Sequence, residues 1–233
     1  MEADLLIVCD GSNSLIKQKY FSSEIDKLYS QYAITFIVRH EKPHEGTAVE
    51  HFMPSGPFAI LPLKDQHLSS IVWTVRSEMK GALLKLPQEE FLYLVQQNLG
   101  DFLGRVNLQS EAAAFPLKAY STSKYFNKKI ALVADSAHVI HPLAGQGLNQ
   151  GIKDIHSLVT NILKHGACKF ALGRYEESRK SDNKTMLEIT DTLNALFATN
   201  SKLLHASRQL GFKAIGKISP FKKLLIKYAM GKR

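Results

Sequence analysis

The sequence predicts an α/β protein with an inserted β-sheet domain and C-terminal helices, and three observations carry that reading. A short apolar run at residues 4–9 (DLLIVC) ends in the turn-forming string Asp10-Gly11-Ser12-Asn13-Ser14. Strand-like runs then follow one another up to about residue 120, and helical spacing of apolar residues takes over after residue 145. The order strand, sheet, strand, helices places residues 1–20 and 121–165 in one layer, with residues 21–120 inserted into it and residues 166–233 as C-terminal helices.

Taken in order, the first run reads as a buried strand entering a turn and a short helix. Residues 32–40, 47–53, 58–63 and 69–76 read as four strands, separated by turn signals at Lys42-Pro43, Pro54-Ser55-Gly56-Pro57 and Lys64-Asp65. Along them Phe52, Phe58, Ile60, Leu61 and Trp73 are expected to alternate as one face of a sheet, with Phe52 and Trp73 as candidate substrate-pocket residues. Pro87 opens a helix expected to run to about Leu103, with Phe91, Leu92, Val95 and Leu99 on one side. A further strand pair is expected around residues 112–119 and 129–134. Leu148, Ile152, Ile155, Leu158, Val159 and Ile162 predict one helix, residues 175–196 a longer one, and residues 202–214 and 221–228 two more.

Composition narrows the class. With 233 residues of which 45% are apolar, the chain can bury a sizeable core. No apolar stretch reaches the roughly 18 residues a spanning helix needs, and no secretory leader is written at the start, so the expected location is cytoplasmic and peripheral at the inner face of a membrane. Cys9 and Cys168, the only cysteines, fit no disulfide framework or zinc spacing and are expected to be buried thiols. The formal charge of +9 lies entirely in residues 202–233, which hold nine Lys and Arg and no Asp or Glu. Leu203, Leu204, Leu210 and Phe212 are among the apolar residues between those cations, which suits a membrane-surface segment or a solvated cationic helix face. No aromatic and basic stacking platform supports nucleic-acid binding.

Residues 131–158, ALVADSAHVIHPLAGQGLNQGIKDIHSL, hold the most specific pattern. An apolar strand delivers Asp135 at its carboxyl end, a loop with His138, His141 and Pro142 follows, and Gly145, Gln146, Gly147, Leu148 and Asn149 open a helix. Glycines there admit a ligand to the backbone, and the helix offers free N–H groups and a positive dipole end to a phosphate or an electron-rich ring edge. The pair His138 and His141 lacks the third ligand that a zinc site requires.

This string resembles the second flavin-binding motif of the aromatic hydroxylases related to para-hydroxybenzoate hydroxylase, in the version typical of the ubiquinone-biosynthesis hydroxylases. Asp10, Gly11 and Ser14, with Cys9 and Lys17 around them, resemble the same family's Asp-Gly motif, although from the residues alone Asp10-Gly11 is simply a turn after a strand. Lys17 stands where the family has Arg, keeping the charge and losing the bidentate fork. Residues 44–63 and 71–73 resemble the family's substrate-domain sheet, and residues 175–179 and 196–200 its C-terminal helices.

The resemblance implies a partial FAD-binding (Rossmann-like) domain. It implies that Asp135 holds the ribityl chain, that Asp10, Gly11 and Ser14 hold the pyrophosphate region, and that the loop from Pro142 to Asn149 lies against the pyrimidine edge of the ring. It implies FAD with NAD(P)H or another electron donor, and hydroxylation of a polyprenylated phenol in ubiquinone biosynthesis. The family's opening G-x-G-x-x-G segment is not written here, which implies roughly 120–160 further residues, supplied by a separate N-terminal FAD-binding chain if at all. The alternative is a non-catalytic truncated or split-gene remnant that works only with such a chain. Other ubiquinone-biosynthesis proteins are expected as further partners, and the isolated chain is expected to be poorly soluble because one edge of its parallel sheet is unpaired.

Overall fold

A computed structural model of the chain describes residues 3–142 and 145–197. The two helices expected at residues 202–214 and 221–228, and the cationic segment that contains them, lie outside the described residues. Two sheets divide the architecture. The small one, in the order β1-β9-β8, joins β1 (Leu6–Val8) and β9 (Ile130–Leu132) in parallel, with Leu6 opposite Ile130 and Val8 opposite Leu132, and adds the antiparallel β8 (Phe126–Asn127). This pairing across more than a hundred residues brings the two ends of the expected outer layer together. Val8, Ala131, Leu132 and Val133 are buried there against Leu158, Leu172 and Tyr175 of the helices α4 (Gly147–His165) and α5 (Lys169–Phe197).

The large sheet runs β10-β7-β2-β5-β4-β3. Its spine is β2 (Ser23–His40), paired with β5 (Leu68–Arg76) on one side and with β7 (Ala113–Thr122) and β6 (Val106–Leu108) on the other. The hairpin of β3 (Val49–Met53) and β4 (Gly56–Pro62) extends it, and β10 (His138–Val139) closes the far edge against β7. The pair expected from residues 112–119 and 129–134 exists as strands but not as a pair, since β7 joins the large sheet and β9 the small one.

One face of the large sheet buries Ile34, Phe36, Phe58, Ile60, Ile71 and Trp73 against α3 (Gln88–Leu99), whose Phe91, Val95 and Leu99 fall four residues apart on a single stripe. Before α3 comes the short α2 (Ser77–Leu83), and α1 (Leu15–Tyr20) follows the first turn. The register corrects the expected face. Phe58 pairs with Trp73 and with His51, so Phe58, Ile60 and Trp73 share the core face, while Phe52, opposite Pro57, and Leu61, opposite Ser70, lie on the other.

Two further expectations are corrected. Cys9 and Cys168 are exposed, because the first sits past the open end of β1 and the second in the link between α4 and α5. The apolar residues that predicted α4 mark its buried side only in part: Leu158 is buried and Ile162 packs against the same core, and the other four are exposed. Leu148, Ile152, Ile155, Val159 and Leu163 are all exposed, whereas Gln150, Gly151, Asp154 and Leu158 face inward.

Candidate flavin site

Two parallel strands ending side by side create a crevice beyond their carboxyl ends, the place where open α/β sheets take their ligands. Val8 and Leu132 are the last paired residues of β1 and β9, so the exposed Asp10 and Asp135 both emerge at that end. Gly11 turns the chain there with φ of 91°, a left-handed conformation costly for residues with a Cβ. Buried Ser14 then caps α1, its Oγ accepting from Lys17 N at 3.1 Å. Lys17 is committed inward: its Nζ donates to Ser12 O at 2.5 Å and lies 4.0 Å from the Tyr120 ring centroid. Burial, and then the neighbouring charge of Lys118, lower its pKa.

Asp135 sits on a 3₁₀ turn, Ala134–Ser136, held from behind. Ser136 Oγ accepts from Val133 N at 3.1 Å and can donate to Val8 O at 2.6 Å, tying the two parallel strands together. Ala134 takes φ of 54°, unusual for a residue with a side chain, and its N–H donates to Asp154 Oδ2 at 3.0 Å. Asp154, wholly buried on α4, also meets His138 Nε2 at 2.6 Å through Oδ2, and Arg179 Nε at 2.8 Å and Asn183 Nδ2 at 3.1 Å through Oδ1. Arg179 further donates to Gln150, Asn183 and Asp182. Burial alone would raise the Asp154 pKa, but the hydrogen bond and charge of His138 and the bonds from Arg179 and Asn183 bring it below the usual carboxylate value. A Cβ on Gly151 would come within 2.8 Å of Ala134 Cβ, so glycine is what lets α4 cross the Asp135 turn this closely.

That crossing fixes the start of α4. Gly147 is four residues from Gly151, about 6 Å along the axis, which leaves the first turn of the helix beside the Asp135 end of the sheet. The helix carries no acidic residue in that turn, and the Gln146 side chain does not cap it. Its positive end is therefore offset by no nearby side-chain charge in the turn itself. Gly145, at φ of 58°, donates its N–H to Pro142 O at 2.9 Å, and Asn149 Nδ2 reaches Gln146 Oε1 at 3.3 Å. Leu148 is 77% exposed. Leu143 and Ala144, part of the expected loop, lie outside the described residues.

The arrangement fits a flavin. Asp10 and Asp135 can accept hydrogen bonds from sugar and ribityl hydroxyls, and among the described residues a Cβ added at Gly11, Gly145 or Gly147 would meet no atom beyond its chain neighbours within 4 Å. The buried Tyr120 hydroxyl has no hydrogen-bond partner among the described residues, and burial followed by the charges of Asp135, Tyr125, Asp10 and Asp26 raises its pKa. Sequence reasoning missed Tyr120, whose only signal is a tyrosine in an alternating strand.

Pro142 and Gly145 also close one end of a cavity of about 450 Å³ whose floor is the second face of the large sheet, including Glu50, Ala59, Leu61, Val72 and Thr74. Phe52 shares that sheet face by register but is not part of the cavity wall. Trp73 points the other way into the α3 core, 4% exposed, and so leaves the set of candidate substrate residues. Glu50 and Thr74, which line the cavity, were not singled out by the sequence.

The family model described as FAD binding domain matches residues 1–190. Ubiquinone hydroxylase UbiL of Rhodospirillum rubrum is 38% identical over 99% of this chain and 55% of its own length. The mitochondrial ubiquinone biosynthesis monooxygenase COQ6 of Mus musculus is 30% identical over 98% of this chain and 56% of its own. This chain thus spans about half the length of the curated relatives it matches. The crystal structure of p-nitrophenol 4-monooxygenase PnpA from Pseudomonas putida DLL-E4 superposes with a TM-score of 0.76 at 16% identity, covering 98% of this chain and 60% of that one, which establishes a shared fold. The strand ends, the glycine turn and the family match together place this chain in the FAD-binding-domain family.

Proposed function

We propose that this chain contributes the flavin-ring and substrate half of an FAD-dependent monooxygenase that hydroxylates a polyprenylated phenol in ubiquinone biosynthesis. The observation that carries this reading is the juxtaposition at one end of α4: Asp135 and the helix start on one side, and a cavity bounded by Pro142, Gly145 and a sheet face on the other. When bound, FAD supplies the reduction of dioxygen and the transfer of one oxygen atom to the ring, drawing electrons from NAD(P)H or another donor.

The chain's own residues bind, orient and exclude water. Asp135 accepts from the ribityl hydroxyls, and Asp10 and Gly11, with the turn capped by Ser14, hold the pyrophosphate side. The start of α4, from Gly145 to Asn149, favours negative charge at the pyrimidine edge. The apolar wall of Ala59, Leu61 and Val72 seats a ring and keeps water from it. The chemistry of the printed relatives supports a prenylated phenol as substrate. A chain or segment with the G-x-G-x-x-G fingerprint would hold the ADP half. Among the described residues no helix is long and apolar enough to cross a membrane, and the cationic stretch at residues 202–233 supports peripheral association with a membrane surface.

The test is to titrate FAD into the purified chain, alone and with an N-terminal FAD-binding partner, while following flavin fluorescence, and then to assay ring hydroxylation of a prenylated phenol. Saturable binding that weakens in Asp135→Asn and product that depends on an electron donor are expected. Absence of flavin binding in both preparations overturns the reading.

A further inference from the structure

On the reading that the substrate is a phenol, the cavity beside Pro142 contains more than apolar walls. Glu50, on β3, stands opposite Ala59 of β4, which stands opposite Val72 of β5, so these three form one cross-strand row on the cavity face. Thr74 lies two residues farther along β5 on the same face. Two strand spacings, about 9.5 Å, separate the strands of Glu50 and Thr74, leaving a ring's width between their side chains. Thr74 is 1% exposed, and its Oγ1 has no hydrogen-bond partner among the described residues. A buried hydroxyl in that state costs free energy that a ligand oxygen would recover. Its position is imposed: Gly56, at φ of 129°, packs so closely that an added Cβ would lie 2.7 Å from Thr74 Cβ.

We propose that Glu50 accepts the ring-hydroxyl proton of the phenolic substrate, while Thr74 hydrogen-bonds a second ring oxygen at the opposite end of the cavity. The phenol O–H bond breaks, an O–H bond forms on the Glu50 carboxylate, and the electron pair stays on the ring oxygen. Charge is conserved, since carboxylate and phenol become carboxylic acid and phenolate. The phenolate enriches the ring carbons ortho and para to it, where an electrophilic oxygen is to be received.

Glu50 is exposed at the rim of the cavity, and desolvation by the protein on its other side pushes its carboxyl up to about 7, closer to a phenol than an ordinary carboxylate is. No other ionisable side chain lines the cavity among the described residues. On β3, His51 turns to the opposite face and bonds Asn98 O at 2.8 Å, and beyond β10 His141 is buried edge-on to Tyr29. The β4 and β5 wall residues carry no charge.

The experiment uses 4-cyanophenol, whose ionisation is read in the near ultraviolet, with the full chain at a pH above the Glu50 value and below the probe's own, so that the carboxylate is ionised and the free probe mostly is not. The wild-type chain is expected to bind it saturably with a phenolate band. Glu50→Gln is expected to lose most of that band at equal occupancy, and Glu50→Asp, which keeps a carboxylate, to restore part of it. Thr74→Val is expected to weaken binding about tenfold while leaving the phenolate fraction of the bound probe unchanged. Thermal melts of each variant separate a lost proton acceptor from a lost fold. Equal phenolate fractions in wild type and Glu50→Gln, or no saturable binding by the wild type, overturn the proposal. A parallel FAD titration separates the two readings: proton transfer without flavin binding sinks the monooxygenase reading and leaves Glu50 in place, and flavin binding without proton transfer does the reverse.

Discussion

Two buried regions of this molecule are built from opposite materials. Beneath the inserted sheet, Ile34, Phe58, Ile60, Ile71, Trp73 and Phe91 pack with no charge among them. Behind Asp135, the interior is Asp154, His138, Arg179, Asn183 and Gln150, all buried and bonded to one another. An apolar core is held by area and shape, which many side chains can supply. A polar core is held by direction, since each donor has a particular acceptor and a missing partner leaves a buried charge exposed to a low dielectric. The difference follows the tasks. The sheet has only to present a face to the cavity, whereas the turn carrying Asp135 has to stay in register with the start of α4, and directional bonds do that better than contacts between methyl groups.

The largest expected effect therefore lies in the polar core. Asp154→Ala leaves Arg179 buried without its main acceptor and is expected to cost about 3–5 kcal/mol of stability by chemical denaturation. The double variant Asp154→Leu with Arg179→Met, which removes both charges, is expected to recover much of that loss. If the single variant costs no more than an ordinary surface change, the clamp is not what holds the turn. Gly151→Ala comes next, because its Cβ would meet Ala134 at 2.8 Å. A loss of about 1–3 kcal/mol is expected, with weaker FAD binding, since the displaced partner is the turn that carries Asp135.

Acid should separate the two regions further. Asp154 has a folded pKa below its unfolded value, so its stabilising contribution is complete above about pH 4 and disappears as pH falls through the folded value. His141, buried beside Tyr29, is lowered to about 4 by burial, against an ordinary 6.5. Its contribution is full above pH 6.5 and erodes from there down to about 4, at up to about 1.4 kcal/mol per pH unit. Melting temperatures measured from pH 7 to pH 4 should therefore start to fall near pH 6.5, and His141→Phe should flatten that first limb. In the apolar core, by contrast, Ile60→Val is expected to cost about 1 kcal/mol at every pH in that range.

The sequence made the two regions unequally legible. Strand positions in the large sheet followed from alternation and turn residues, and the parallel strands of the small sheet from the motifs at Asp10 and Asp135. The first half of β2 was missed because Ser23, Glu24, Asp26 and Lys27 give no apolar alternation; pairing with β7 orders them, and that is a long-range fact. The face of Phe52 was misjudged against Phe58 because the Pro54–Pro57 turn resets the register between them, placing Phe58 opposite His51. The polar clamp escaped for a deeper reason. Periodicity arguments bury the apolar stripe of a helix, and in α4 most of that stripe, Leu148, Ile152, Ile155 and Val159, is exposed while Asp154 and Gln150 are buried with Leu158. An acidic residue three positions after Gly151 was the available signal, and nothing in the local pattern marks it as buried.

The smallest expected effect on stability falls at the residue with the most direct expected contact to the flavin. Asp135 is exposed on a turn whose own bonds run through Ser136 and Ala134, and among the described residues its carboxylate makes no hydrogen bond or ion pair that supports the fold. Asp135→Asn should shift stability by less than about 0.5 kcal/mol, the range of an ordinary surface change. It should nevertheless weaken FAD binding about tenfold, the loss expected when a charge-assisted bond to a hydroxyl becomes a neutral one. Fluorescence titration beside a denaturation curve reads both quantities on one preparation. An unchanged affinity would mean that the clamp behind the turn holds the backbone for some other purpose, and that the carboxylate it presents is incidental to the ligand.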